Sequence, residues 1–114
     1  MPVINLNWTK KISAEEKRNL IETIAETVST AVQVPSEAVN VLIHENDEEN
    51  VRFPEAVFTI SWSKHPNRSR EAKAEIIEKL TGIVQGISEI RPERIVVFFH
   101  DLDGENVGVA GKPR

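Results

Sequence analysis

Residues 44–51 read HENDEENV, and residues 100–107 read HDLDGENV. They share the opening histidine, an aspartate at the fourth place and the closing Glu-Asn-Val, and they lie 56 residues apart. The same offset holds over much of both halves. Ser13, Glu15, Lys17, Ile21 and Glu22 meet Ser69, Glu71, Lys73, Ile77 and Glu78, while Val28, Glu37 and Val41 meet Val84, Glu93 and Val97. Chance identities would scatter over many offsets, so a single register marks an internal duplication. Two copies, about residues 1–56 and 57–114, are too few for a solenoid. They imply one pseudo-symmetric domain.

Working outward from the repeat, each copy has the same grammar. VINLNW (3–8) and VFTISW (57–62) alternate with a period of two, which reads as a strand with Ile4, Leu6 and Trp8, or Phe58, Ile60 and Trp62, on one face. A helix follows in each. Ser13 caps the first, with Glu15 and Glu16 in its opening turn and Leu20, Ile21, Ile24, Val28 and Val32 on one stripe. Ser69 caps the second, whose stripe is Ile76, Ile77, Leu80, Ile83 and Val84. Pro35 and Pro92 stand just past the helix ends, ahead of strands VNVLIH (39–44) and IVVFFH (95–100). Strand–helix–strand makes the two strands of each copy parallel and the crossover right-handed. The fold class is therefore α/β: duplicated β-α-β units forming a four-stranded sheet with two helices on one face.

Two helices cover only one side of such a sheet. Residues 39–43 and 95–99 carry valine, leucine and phenylalanine with little polar alternation, the pattern of strands buried on both faces. An uncovered apolar face predicts sheet-to-sheet packing of subunits about an axis. Composition narrows the partners. The 114 residues include no cysteine, so disulfide and thiolate chemistry are excluded. A net charge of −4 argues against a nucleic-acid or anionic-membrane surface. No apolar run approaches a membrane span and no signal-like segment precedes the first strand, so the expected location is cytoplasmic. His44 and His100 end equivalent strands near Asp101 and Asp103, but without a His-x-His spacing or a sulfur ligand no metal is expected.

Pro2 raises the functional question. The first residue of a strand is a place where proline's missing N–H costs nothing. With Met1 removed, its nitrogen would instead be a free secondary amine.

The start MPVINLNW, the cap-and-helix ISAEEK, the strand VNVLIHE and the ending ENVGVAG resemble the tautomerase superfamily, in particular a fused, two-unit 4-oxalocrotonate tautomerase. The chain is similar in length to macrophage migration inhibitory factor, whose closing pattern is echoed in RPERIVVFFHDLDGENVG. The resemblance spans essentially the whole chain. It implies a homotrimer, no cofactor, and Pro2 as general base and acid in enol–keto proton transfer on a small 2-oxo or enol carboxylic acid. An α-amine desolvated beside apolar side chains and an arginine loses basicity, which tunes it for that work.

The resemblance also implies cations for the substrate's carboxylate and developing enolate. Single-unit relatives carry Gly-Arg-Ser before the first helix; here the second copy has Asn67-Arg68-Ser69 and the first Lys11-Ile12-Ser13, making Arg68 the best-matched carboxylate anchor. Arg70 follows in the same turn as a secondary candidate. The family's other arginine, on the strand after the helix, is replaced by Asn40 and Val96. Asn40 is a candidate donor to a substrate oxygen. His65 occupies the place where cis-3-chloroacrylic acid dehalogenases carry a second arginine, with Lys64 as an alternative cation. Phe98 stands where those enzymes have a tyrosine, and Val107 where relatives carry an aromatic pocket wall, in a tail expected to fold as a short hairpin over a neighbouring subunit. Phe58 is taken as the second copy's counterpart of Pro2. A hydroxyl-free Phe98, and no acid after Glu105, favour a tautomerase over a hydratase or dehalogenase of the same superfamily, with a decarboxylase remaining as a further alternative. A non-catalytic trimeric binding module is the alternative outside enzymes.

Overall fold

The computed structural model describes residues 1–114. Strand β1 (Val3–Trp8), helix α1 (Ala14–Val32) and strand β2 (Asn40–Glu45) form the first unit; β3 (Ala56–Ser63), α2 (Arg70–Ile87) and β4 (Ile95–Leu102) form the second. Both units pair their strands in parallel, and the two inner strands pair antiparallel, giving the order β2-β1-β3-β4. A short hairpin, β5 (Gly108–Val109) with β6 (Lys112–Pro113), closes the chain. Its turn places Ala110 and Gly111 at φ of 54° and 80°, the left-handed region that glycine enters freely. No helix is long and apolar enough to cross a membrane.

The caps fall where the sequence places them. Ser13 accepts the Glu16 N–H, and Glu16 reaches back to the Ser13 N–H, completing a capping box. Ser69 accepts only the Ala72 N–H, since alanine at the third helical position has nothing to return. Ser13→Ala is therefore expected to cost about 1 kcal/mol, read as a lower urea midpoint with an unchanged slope at fixed protein concentration.

The core lies between helices and sheet. Ile4, Leu6, Trp8, Phe58, Ile60 and Trp62 are buried against Leu20, Ile24, Val28 and Val32 of α1 and Ile76, Leu80 and Val84 of α2. Ile77 departs from its expected stripe: it is 42% exposed beside the β4 edge. The i, i+4 run Ala72-Ile76-Leu80-Val84 fills α2's inner face, with Ile83 packed half-buried beside it.

The other sheet face is bare, and it is less apolar than the strand composition suggests. Along its middle run Asn5 and Asn7 from β1 and Thr59 and Ser61 from β3; Leu42, Val96 and Phe98 lie along the outer strands. His44 and His100 also lie on this face, within hydrogen-bond reach of Asn5 (3.3 Å) and Ser61 (3.4 Å).

Candidate active site

The sheet register gathers four strand ends at one pole. Val3 pairs with both Asn40 and Ser61, and Ser61 with His100. The starts of β1 and β2 thus meet the ends of β3 and β4. Pro2 is buried there, and Asn40 fixes it: the Asn40 backbone N–H donates to the Pro2 carbonyl at 2.9 Å and its side-chain amide reaches the same oxygen at 3.4 Å. That amide also reaches the Ala38 carbonyl. Asn40 is thus committed to backbone and acts in the structure as the clamp on Pro2.

Arg68 reaches the same pole from the loop joining β3 to α2. Its guanidinium carbon stands 5.4 Å from the Trp62 ring centroid. Trp62 is itself braced by Phe99, at a centroid distance of 5.4 Å, and by an indole N–H bond of 2.6 Å to Asp101. Lys73 completes the brace at 2.5 Å from Asp101, and its hydrogen bond is the main reason that carboxyl titrates below its ordinary range. Burial lowers the Arg68 pKa, with Asp101 working in the opposite sense, yet an arginine stays charged in either case. Its Nε is buried without a protein acceptor. A half-desolvated cation with an unused donor is suited to an anion.

The charge of Arg68 is felt at the chain start. The Met1 amine is pulled below the ordinary α-amine value first by burial, then by Arg114, then by Arg68. Sequence reasoning missed Arg114. The available signal was Gly104, a glycine in the last repeat segment where the first copy has Glu48.

The remaining candidates are distributed unevenly. His65 shapes the turn that presents Arg68: its Nδ1 accepts the Asn67 N–H at 3.1 Å and its carbonyl accepts the Arg68 N–H at 2.9 Å. Lys64 is spent on Asp103 at 3.2 Å. Arg70 is not grouped with Arg68; as the first residue of α2 it lines a cleft with Lys73, Ile77 and Phe99 along the β4 edge. Val107 is half-buried where the tail folds back, and its carbonyl accepts the Arg114 N–H at 2.7 Å. Phe98 pairs with Thr59, which pairs with Asn5, so it lies two strands over and three residues along from Pro2, roughly 14 Å away by strand spacing and rise. Within one chain neither Phe98 nor Val96, further along β4, reaches the proline.

The opposite pole shows what the second copy has lost. Asn40 pairs with Val3 and its repeat counterpart Val96 pairs with Val57, so Val57 corresponds to Val3 and buried Ala56, not Phe58, to Pro2. The 56-residue offset shrinks to 54 across the first strands because Trp62 precedes its helix cap by two residues more than Trp8 does. The extra length forms the His65–Arg68 turn. At the second pole Ile12 replaces Arg68 and gives its N–H to Glu45, which also pairs with Lys17 at 3.0 Å. The Trp8 indole N–H is then left without a protein acceptor.

Duplicated β-α-β units, with Pro2 and Arg68 at one pole of the sheet, make up the architecture, and solved structures share it. Pt0534, solved inactivated by 2-oxo-3-pentynoate, superposes with a TM-score of 0.83 at 22% identity over 97% of this chain and 94% of that one. A fused 4-OT solved as a wild-type asymmetric trimer gives 0.82 at 19% identity, over 97% and 94% of the two chains. The macrophage migration inhibitory factor-like protein of Entamoeba histolytica gives 0.82 at 13% identity, over 99% and 98%. Such identities establish a common fold. No curated protein matches the chain in sequence. The model of the tautomerase enzyme family matches residues 2–58 and 63–113, and the chain belongs to that family.

Proposed function

We propose that the chain, once Met1 is removed, is a cofactor-independent tautomerase of small 2-oxo or enol carboxylic acids. Pro2 takes the proton from one position and returns it to another, and Arg68 anchors the carboxylate. The observation that carries this reading is the convergence of Arg68, half-buried with an unpartnered Nε, on the pole where Pro2 is clamped. Removing Met1 hands the free amine to a residue that is more buried than Met1 and subject to the same flanking charges. The same influences that lower the Met1 amine then act on the proline nitrogen. We further propose a homotrimer, supported by the bare sheet face and by the trimeric assembly of the fused 4-OT that shares the fold.

The sign of the pH dependence follows. A base works deprotonated, so turnover is complete above the amine's pKa and is lost as pH falls through it. With a lowered pKa, the acid limb of kcat/KM is expected below the ordinary titration range of an N-terminal proline amine. One preparation is to be given an enol acid such as phenylenolpyruvate and, separately, a 3-haloacrylate. Ketonisation with this acid limb and little halide release is expected. Arg68→Ala is expected to raise KM about tenfold or more and to move the limb to higher pH. Preferential halide release would overturn the tautomerase reading, and inactivity on both substrates would favour a binding module.

A further inference from the structure

The duplication keeps in place one titratable residue that the Pro2 mechanism does not use: the histidine opening HENDEENV and HDLDGENV. His44 stands on β2 and His100 on β4, the two outer strands, and both are exposed on the bare face of the sheet. Each lies two residues beyond an exposed apolar side chain on the same face, His44 beyond Leu42 and His100 beyond Phe98. Both copies thus pair a histidine with an apolar residue on the margins of that face.

Nothing on the face neutralises them. Of the side chains that the four strands turn to it, His44 and His100 alone ionise. Their partners on the inner strands are uncharged, Asn5 for His44 at 3.3 Å and Ser61 for His100 at 3.4 Å. Neither histidine makes an ion pair. The acids next in sequence, Glu45 and Asp101, turn to the helix side, where Lys17 and Lys73 hold them. At the strand ends Lys11 is paired with Asp47 and Lys64 with Asp103. Beyond His44, Glu55 is paired with Arg94, and Arg52 makes no ion pair. Beyond His100, Arg68 and the chain-start amine add only positive charge.

We propose that His44 and His100 make assembly of the chain pH-sensitive, keeping a closed ring of copies together while neutral and opening it when they take up protons. The inference rests on the reading of the bare face as the contact between three copies. Two histidines per chain put six on the joined faces of a trimer. Histidine is the side chain whose charge changes between pH 5 and 8. In a separate chain both rings face water and accept a proton freely. In the trimer the same protons would leave charges confined beside Leu42 and Phe98, with no counter-charge on the face. The separate chain therefore binds more protons than the assembled one. By linkage, assembly is at full strength above the histidine range and is lost as pH falls through it. Glu45 and Asp101, held below the ordinary carboxylate range by Lys17 and Lys73, stay ionised throughout that window.

Sedimentation of the Met1-free protein at micromolar concentration tests this. The protein should be trimeric at about pH 8 and dissociated at about pH 5.5, its half-dissociation concentration rising about a hundredfold or more. His44→Gln and His100→Asn place a neutral amide near the ring nitrogen that each histidine uses, and the double variant should stay trimeric at both pH values. Each single variant should move the transition part of the way. In the parent protein, dissociation on dilution near pH 6, followed by calorimetry in buffers of different ionisation enthalpy, should take up about one to two protons per chain. If the double variant fails to assemble, this proton count decides, and an uptake of none overturns the proposal. The acid limb of turnover set by the Pro2 amine should persist in the double variant, which separates the two titrations. A parent trimer indifferent to pH over this range, or a double variant that comes apart together with the parent, would refute the switch alone. A parent chain that is monomeric at about pH 8 would refute the ring, and the switch with it.

Discussion

Protein that keeps Met1, or carries any extension before Pro2, is expected to lose enol–keto turnover by about a hundredfold or more while keeping its fold. An acylated proline nitrogen is an amide with no basic lone pair, so the proton has nowhere to go. The fold should be indifferent, because Asn40 holds the Pro2 carbonyl rather than its nitrogen. Intact mass gives the fraction processed, and activity should scale with that fraction across preparations. Pro2→Ala should lose less: a primary amine remains at the same pole, under the same flanking arginine charges. Full activity in homogeneous Met1-retaining protein would remove the proline from the mechanism.

The architecture was legible because the duplication wrote it twice. Alternating strands, Ser13 and Ser69 caps, and the i, i+4 runs of both helices appear at matched positions, and local preferences agree with the final packing. What misled was the assumption of one constant offset. Phe58 looked like the counterpart of Pro2 because the caps and later strands are 56 residues apart; the pairing of Val57 with Val96 shows the first strands to be 54 apart, and gives that place to Ala56. A two-residue insertion carries no hydrophobic signature, so only register reveals it. The candidate site was legible only in its placement. Pro2 and Arg68 were marked by position in the motif, and the structure places both at one pole. Arg70 could not be separated from Arg68 by sequence, because the direction of a side chain at a helix start depends on the turn before it, here set by His65. Arg114 was invisible for a different reason: its placement depends on tertiary return of the tail, for which the sequence offers only a glycine.

The second large effect is expected on the bare face of the sheet. Leu42 and Phe98 occupy equivalent places in the two copies, on opposite edge strands, and stand 46% and 53% exposed. Between them the face is polar, with Asn5, Asn7, Thr59 and Ser61. This pattern favours contact along the margins and a wetter interior, as a closed ring of copies provides. The parent chain is therefore expected to sediment as a trimer at micromolar concentration. Leu42→Glu or Phe98→Glu would bury a charge in every contact, at a cost of about 3 kcal/mol or more each, and should dissociate the assembly. Because both positions are exposed in the single chain, the same changes should cost the isolated fold under about 0.5 kcal/mol. Dissociation with retained helical circular dichroism would separate loss of contact from loss of fold. Glu22→Lys, an exposed change on the helix side, should leave the trimer intact. If Phe98 reaches a neighbour's proline rather than its own, Phe98→Glu should abolish turnover together with assembly, whereas Phe98→Leu should keep the trimer and weaken turnover alone. A parent protein that sediments as a folded monomer at these concentrations would refute the ring, and would leave the Pro2 pole to work with Arg68 from its own chain.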